Sequence, residues 1–380
     1  MKNLSGKYIS HLTGYKAYIP NPLPPKIDWD VKLVNSLSQA DTLLSKLAVQ
    51  GSKLPNPHIL IRPFIAREAV LSSKIEGTRT TLGEVLADHA GAIIDSSPDD
   101  LKEVNNYIKA LEYGIKRLKS LPLSLRLIRE LHKKLMQNVR GQNATPGEFR
   151  KTQNWIGVAG CTLNTATYVP PSPDHLMKCL SDFENFLQNK TLPPLVQIAL
   201  AHYQFEAIHP FLDGNGRVGR LLITLFLVER KILPAPLLYL SAFFEATRNE
   251  YYALLLKVTK NGAWNDWIMY FLNGVARQSQ DAFSRSLRIN NLLESWNKQT
   301  KDFSSKIPNK LIFQLAINPF LTVKQTSEQL RIPYTTVKRA VEKLESLNIV
   351  REVTGGKRNL VYCAKDILKI LEEPAQIMAK

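Results

Sequence analysis

The stretch that decides the fold is HPFLDGNGRVGR, residues 209–220. Within it, GNGRVG at 214–219 fits the GxGxxG pattern of dinucleotide-binding turns, but such a turn must follow a β-strand inside a βαβ unit. The preceding residues, ALAHYQFEAI at 199–208, place apolar side chains at helical offsets. The stretch therefore predicts a helix, a tight glycine loop and a second helix, and it argues against a Rossmann nucleotide site.

The glycine loop has the composition of an anion site. It ends at the start of a helix, where free backbone N–H groups and the helix dipole favour negative charge. Gly214 and Gly216 allow the backbone to approach a phosphate closely. Arg217 and Arg220 lie on the first turns of the same helix and offer forked donors to one polyphosphate. The loop therefore predicts the binding of a phosphorylated ligand.

Two further side chains of the stretch suit phosphoryl chemistry. Asp213 supplies an oxygen ligand of the kind that Mg²⁺ prefers. His209 suits a general base because imidazole titrates near neutral pH. A zinc pair formed by His209 and Asp213 is the alternative, but Pro210 breaks the helical spacing and no third ligand is evident.

Taken together, these residues resemble the Fic family, whose motif HPFx(D/E)GNGRxxR is matched at every specified position of 209–220. Three flanking segments are also similar to this family: PGEFRKTQNWIG at 146–157, ATYVPPSP at 166–173 and EYY at 250–252. The resemblance covers about residues 60–300. It implies a mainly α fold with a Fic-type helical core and a small β-hairpin flap.

The resemblance implies a protein adenylyltransferase, which transfers AMP from Mg-ATP to a Tyr, Thr or Ser hydroxyl of a target protein or of itself. By this resemblance His209 takes the hydroxyl proton, and Asp213 holds the Mg²⁺ that bridges the phosphates of the co-substrate ATP. The rest of the implied ATP site is an anion hole with two arginines: Gly214, Asn215, Gly216, Arg217 and Arg220. Positioning and charge stabilisation supply most of the catalysis in such transfers.

Two more parts of the implied site lie outside the motif. The segment 156–171 resembles the flap, which aligns a target peptide beside the site by strand-like main-chain pairing. Tyr251 and Tyr252 are candidates for the adenosine pocket, and a plain core role is the alternative for both.

An upstream segment suggests built-in inhibition. We predict a helix over about 63–77 that ends at Gly77, with Ser72 and Glu76 on one face because they are four residues apart. Taken alone, Glu76 is an ordinary exposed glutamate at the unfavourable end of a helix dipole. The segment SSKIEG at 72–77 nevertheless resembles the Fic inhibitory pattern (S/T)xxxE(G/N). That resemblance implies that Glu76 pairs with Arg220 and blocks the productive position of the γ-phosphate.

The last part of the chain has a pattern of its own. Three short helices followed by a β-hairpin predict a winged helix-turn-helix over 307–380. Residues 305–380 contain 13 Lys and Arg against 7 Asp and Glu, a net charge of +6. The residues that would meet nucleic acid lie on the third helix and at the wing tip: Thr335, Thr336, Lys338, Arg339, Lys357 and Arg358. A module that serves only protein contacts or a homodimer is the alternative to DNA binding.

Periodicity along the rest of the chain predicts four segments. These are an N-terminal helical region with the inhibitory helix (1–100), the Fic core (101–280), a connecting helix (281–306) and the winged-helix domain (307–380). Ser124 predicts a helix start. We expect helices over 173–188 and 195–208, and residues 1–30 are expected to form an extended arm.

The amino-acid composition limits the partners and the cellular compartment that we expect for the chain. The net charge of the 380 residues is +17, which favours an anionic partner. Three distant cysteines without a CxxC argue against a zinc site or a disulfide framework and suit the cytoplasm. The N-terminus lacks the apolar stretch of a secretory signal. The apolar run 221–228 is too short to span a bilayer, so no membrane partner is expected.

Three alternative functions remain beside autoinhibited AMP transfer. In one, the chain is a DNA-binding regulator whose Fic core senses a nucleotide. In another, the enzyme removes AMP with the help of Glu76. In a third, the donor is another nucleotide or a phosphocholine carrier.

Overall fold

Fifteen helices and five short strands make up the part of the chain that the computed structural model describes: residues 5–11, 14–53, 58–94, 97–139, 145–356 and 358–375. The elements before the glycine loop are β1 (Gly6–Ser10), β2 (Lys16–Pro20), α1 (Val31–Lys53), α2 (His58–Ile75), α3 (Leu82–His89), α4 (Pro98–Arg117), α5 (Leu125–Leu135), α6 (Pro173–Gln188) and α7 (Pro194–Ile208). Those after it are α8 (Asn215–Glu229), α9 (Ser241–Ala246), α10 (Arg248–Asn261), α11 (Trp264–Gln299), α12 (Ile307–Ile317), β3 (Phe320–Thr322), α13 (Val323–Leu330), α14 (Tyr334–Ser346), β4 (Arg351–Glu352), β5 (Val361–Cys363) and α15 (Lys365–Glu372). The predicted mainly α fold is confirmed.

Helix ends follow local chemistry in most places. Ser124 accepts a hydrogen bond from the N–H of Leu127 at the start of α5, as predicted. Helix α2 begins at His58, so Pro63 lies inside it rather than in its first turn. Pro63 lies in the N-terminal half of α2. Because proline has no backbone N–H, the helix lacks one hydrogen bond at this position.

The N-terminal arm is a hairpin and not merely extended chain. Strands β1 and β2 pair antiparallel, with Gly6 opposite Pro20. The N–H of Tyr18 also donates to the carbonyl of Val169 at 2.9 Å, and its hydroxyl donates to Ser5 Oγ at 2.6 Å. The hairpin therefore forms because a distant segment supplies its partner, which periodicity along the chain does not show.

The glycine loop joins two central helices. Helices α7 and α8 pack against each other, and α2, α4, α5, α6 and α11 surround them. Both are buried along most of their length, as expected for helices with apolar residues all round. The loop is therefore held in a fixed position by the core. Among the described helices, none is both long and apolar enough to cross a bilayer.

The described residues from Ile307 onward form α12, α13 and α14, a sheet of order β3-β5-β4, and α15. Helix α12 packs on α2 and α14, and α15 packs on α11 and α2. The three helices were predicted, whereas β3 and α15 were not. The winged-helix assignment and the four-segment division of the chain stay predictions, and Lys357 lies outside the described residues.

Candidate active site

The turn between α7 and α8 places His209 in an unusual backbone conformation. Its φ is +48°, in the left-handed region, and its N–H donates to the carbonyl of Phe205 at 3.0 Å to end α7. Such a conformation is uncommon for a non-glycine residue and collects at functional sites. The carbonyl of His209 accepts from Arg150 Nε at 3.0 Å, which holds the strained turn in place.

The hydrogen bonding of the His209 ring suits a base. Nδ1 lies 3.3 Å from the carbonyl oxygen of Glu206, which can only accept, so Nδ1 carries the hydrogen. The lone pair is then on Nε2. Burial lowers the pKa of His209 to about 4, so the ring is neutral and able to take a proton at neutral pH.

Asn215 and Gly214 shape the loop. Asn215 accepts from the N–H of Phe211 and donates back to its carbonyl, both at 2.8 Å, and so closes the loop on itself. Gly214 has φ +77°, and a Cβ there would lie 2.9 Å from Met136 Sδ. A side chain at this position would be both strained and crowded, which explains the glycine. The first N–H groups of α8 are left without helical acceptors.

The structure places Glu76 on its predicted partner: Arg220 is buried, and its Nη2 donates to Glu76 Oε1 at 2.6 Å. Arg220 also donates to Ser72, through Nε to Oγ and through Nη2 to the carbonyl, both at 2.9 Å. Ser72 and Glu76 therefore hold one guanidinium from one face, as their spacing predicts.

The Glu76 carboxylate lies over the start of α8. A Cβ at Gly216 would overlap Glu76 Oε1, so Gly216 leaves room for this oxygen. Helix α2 ends beside it, with Gly77 at φ +105°. Burial works against the charge of Glu76, but Arg220 and Arg217 outweigh it and hold the pKa of Glu76 below its ordinary value. A carboxylate thus occupies the place that the glycine loop offers to an anion.

Arg217 has a different set of partners from Arg220. Its Nη1 donates to Glu103 Oε2 at 2.8 Å, and its side chain is 4% exposed. Its Nη2 lies 3.8 Å from Asp213 Oδ1. Arg217 therefore links the loop carboxylate to α4, and its charge still reaches Glu76, whose pKa it lowers.

Asp213 fits a metal shared with a substrate. Half of its side chain (52%) is exposed, so its oxygens remain accessible although Oδ1 accepts from the N–H of Gly214 at 2.5 Å. No group of three His, Cys, Asp or Glu side chains among the described residues could hold a metal by itself. One carboxylate combined with substrate phosphates is the usual way in which Mg²⁺ is bound.

The two tyrosines lie in different environments. Tyr251 is 1% exposed, and its hydroxyl lies 2.8 Å from His202 Nε2, in a packed aromatic core. Tyr252 is 39% exposed. Burial raises the pKa of Tyr252, and the negative charge of Glu76 adds to this effect. Of the pair, only Tyr252 has an accessible surface and interacts electrostatically with Glu76 from that position.

The predicted flap is a turn-rich loop with one strand-like pair. Ile156 and Tyr168 exchange two backbone hydrogen bonds, at 2.8 and 3.0 Å. The Tyr168 hydroxyl donates to the carbonyl of Ala207 at 2.6 Å, which ties the loop to α7 just before His209. Val158 is 77% exposed. An exposed apolar side chain therefore lies on a loop that is tied to α7 just before His209.

Sequence reasoning missed three side chains that support the site: Glu103, His132 and Arg150. Arg150 donates to the carbonyls of His209, Thr152 and Pro171, so it joins the turn to the last residue of the flap and to the segment that precedes the flap. It belongs to the segment PGEFRKTQNWIG already singled out, which could have pointed to it. Nothing in their spacing distinguishes Glu103 or His132.

Comparisons with known proteins agree with this geometry. Residues 122–227 match the Fic/DOC family, and residues 34–116 match the Fic/DOC family N-terminal region. A protein adenylyltransferase Fic from Drosophila grimshawi is 34% identical over 161 residues, which are 41% of this chain and 31% of that protein. The protein adenylyltransferase fic-1 of Caenorhabditis elegans is 28% identical over 252 residues, 62% of this chain and 45% of that protein. The chain thus spans about a third to a half of the length of these curated relatives.

The fold is shared with a solved structure over most of the chain. A Fic family protein from Desulfovibrio desulfuricans G20 superposes with a TM-score of 0.61 at 21% identity and covers 90% of this chain and 98% of its own. A variant of Fic-1 from C. elegans gives a TM-score of 0.51 at 25% identity, with 67% and 71% covered. By these matches, residues 122–227 form a Fic/DOC family domain, preceded by a Fic/DOC family N-terminal region at 34–116, and the chain shares the fold of a Fic family protein.

Proposed function

We propose that the chain is a protein adenylyltransferase, which transfers AMP from ATP to a hydroxyl of a target protein or of itself, and which Glu76 inhibits. The observation that carries this proposal is the Glu76 carboxylate on Arg220 at 2.6 Å, over the start of α8 and near enough to His209 to interact with it electrostatically. A carboxylate held at the start of a helix supports a site that binds anions such as phosphates. The matched relatives named protein adenylyltransferase support the same activity.

The proposed reaction uses His209 as the base. Its Nε2 takes the proton of a Tyr, Thr or Ser hydroxyl, and the oxygen forms a bond to the α-phosphorus of ATP. The bond from that phosphorus to the bridging oxygen breaks, and pyrophosphate leaves. A neutral imidazole is ready for this step because burial holds the pKa of His209 near 4.

The phosphates would lie on the glycine loop. The N–H groups at the start of α8 would donate to them, Arg217 would contribute its positive charge, and Arg220 would exchange Glu76 for the terminal phosphate. Asp213 would hold Mg²⁺ together with the phosphates, and the ion would neutralise charge on the leaving group. Tyr252, the more exposed of the two tyrosines, is the better candidate for contact with adenosine.

The target would dock on the flap. The segment 156–171 contains the strand-like pair Ile156–Tyr168 and is partly exposed, and an extended peptide would add to this pairing. Pairing of this kind selects a backbone conformation more than a side chain. We therefore assign the acceptor as a hydroxyl in an extended segment.

We also place the activity in the cytoplasm, because a reducing compartment suits three unpaired thiols.

The position of a radioactive label tests the reaction class. We expect the protein to be labelled by ATP that carries the label at the α-phosphate and not by ATP labelled at the γ-phosphate. His209→Ala should bind ATP but transfer nothing, because it keeps the phosphate contacts and loses the base. Labelling from the γ-phosphate would indicate a kinase, and a fully active His209→Ala would remove the assigned base.

A second function, DNA binding, is favoured by the surface of α14. Thr335, Lys338 and Arg339 are exposed there, and Arg358 is exposed after β4. Basic and hydroxyl side chains on such a helix meet phosphates and base edges in winged-helix proteins. Lys338→Glu with Arg339→Glu should weaken a salt-dependent mobility shift of duplex DNA. An unchanged shift, or none for the native chain, would speak against it.

A further inference from the structure

His132 lies on α5, far along the chain from the motif, yet its ring is buried against the glycine loop. It is fully inaccessible to solvent. Nε2 lies 3.0 Å from the carbonyl oxygen of Asp213, and Nδ1 lies 2.8 Å from the backbone N of Gly147. Both ring nitrogens are therefore engaged, one of them with the residue that carries the metal-binding carboxylate.

The two partners fix which nitrogen carries the hydrogen. The N–H of Gly147 can only donate, so Nδ1 must accept. The carbonyl of Asp213 can only accept, so Nε2 must donate. One neutral tautomer satisfies both contacts, and the opposite tautomer satisfies neither. Gly147, which precedes the flap along the chain, thereby fixes Nε2 as the ring nitrogen that donates to the glycine loop.

The ring also supports the loop by packing. It stacks on Phe211 with centroids 3.7 Å apart and planes 6° from parallel. An added Cβ at Gly214 would lie 3.5 Å from Nε2. The backbone of Phe211 is held on its other side by Asn215. Residues 211–214 are thus held between the His132 ring and the Asn215 amide.

We propose that His132 is a positioning residue for AMP transfer: its Nε2–H fixes the carbonyl of Asp213, and thereby aims the Asp213 carboxylate and the N–H groups that open α8. This inference rests on the proposed function. It differs from a packing role, because the ring could pack on Phe211 without either hydrogen bond. The donor at Nε2 is what the role requires.

Two amide variants separate the two hydrogen bonds. A glutamine amide reaches the position of Nε2 and can donate to Asp213, whereas an asparagine amide is shorter and reaches the position of Nδ1 beside Gly147. Both remove the ring and its stacking on Phe211. The pair His132→Gln and His132→Asn therefore differs mainly in the contact that the proposal invokes.

The rates of self-labelling with α-labelled ATP, measured in a Glu76→Gly background, test the proposal. At saturating ATP, we expect the rate of His132→Asn to be about tenfold lower than that of the Glu76→Gly parent. The rate of His132→Gln should stay within about threefold of the parent rate. The ATP concentration for half-maximal rate should change by less than about threefold in both, because Arg217 and Arg220 remain. Equal rates in the two variants would overturn the assignment.

A spectroscopic measurement on the native chain keeps the test independent of activity. In the native chain labelled with ¹⁵N-histidine, with the signal identified by its loss in His132→Gln, His132 should carry its hydrogen on Nε2 and not on Nδ1. The opposite tautomer would overturn the proposal. If the Glu76→Gly parent shows no AMP transfer, the proposed function fails, and the tautomer still decides whether His132 donates to Asp213.

Discussion

At the scale of single residues, Glu76 and Arg220 form an ion pair whose acid carries a lowered pKa. Burial alone would raise the pKa of Glu76, and the neighbouring arginines reverse that effect. A carboxyl with a lowered pKa keeps its charge until the pH falls below its ordinary titration range. The Glu76–Arg220 ion pair is therefore intact throughout the neutral range. Under the proposed inhibition, its release requires a ligand that competes for Arg220 rather than mild acid.

The pH dependence of kcat/KM follows from His209 once Glu76 is removed. Because burial lowers the pKa of His209 to about 4, the base is neutral above that value and protonated below it. For Glu76→Gly we expect kcat/KM to be flat between about pH 6 and pH 8 and to fall in acid as His209 gains a proton. Initial rates measured across this pH range check the prediction. A fall in kcat/KM centred near neutral pH would contradict the burial of the His209 ring.

The residues of the site were predictable to different degrees. His209, Asp213 and Arg220 lie in one short motif, so their chemistry is visible in the sequence. The roles of Glu103 and His132 were not visible in the sequence. Each side chain contacts a residue of the motif from a helix that lies far from the motif along the chain. Spacing along the chain carries no information about such contacts.

At the scale of elements, the inhibitory helix α2 and the following α3 are held by the C-terminal part of the chain. Helix α12 packs on α2. Three side chains from 318–325 donate to carbonyls at the end of α3: Asn318 to Leu86 at 2.8 Å, Thr322 to Ala90 at 3.0 Å and Gln325 to His89 at 3.0 Å. The end of a helix has unsatisfied carbonyls, and these donors supply what a local cap would.

Asn318→Ala should lower the free energy of unfolding by about 1–2 kcal/mol, because it removes the bond to the Leu86 carbonyl and the bond that Asn318 Oδ1 accepts from the N–H of Phe320 at 3.0 Å. Urea unfolding followed by circular dichroism measures this. Gln329→Ala, which changes an exposed side chain on the neighbouring α13, is the control and should change stability by less than about 0.5 kcal/mol. Equal stability of Asn318→Ala and the control would show that the cap contributes nothing.

Elements that depend on local chemistry were predicted, and those that depend on distant partners were not. The predicted helix over 173–188 and the start of α5 at Ser124 follow from capping and periodicity. The β1–β2 hairpin and α15 depend on distant partners instead. Strand β2 bonds to Val169, and the carbonyl that follows α15 accepts from Arg285 of α11. Arg285 donates to the carbonyls of Glu373 and Pro374, far apart from it in sequence.

At the scale of the whole molecule, one core connects the inhibitory helix, the glycine loop and the C-terminal helices. Buried residues from α2, α8 and α12 belong to a single continuous cluster. The net charge of +17 adds a long-range attraction for polyanions, which would favour the encounter with the proposed ATP substrate. In the proposed reaction, specificity depends on the site, where the Glu76 carboxylate lies on Arg220 in the place assigned to a phosphate.

The measurement that tests this account most directly is the intact mass of the chain after incubation with Mg-ATP, for the native protein, for Glu76→Gly and for Glu76→Gly with His209→Ala. Loss of a charge-assisted hydrogen bond worth about 1.5–3 kcal/mol should raise the rate by about ten- to a hundredfold. We predict that Glu76→Gly gains an adenylyl group much faster than the native chain and that the double variant gains none. A mass gain of one phosphate, or equal adenylylation of the native chain and Glu76→Gly, would contradict the account.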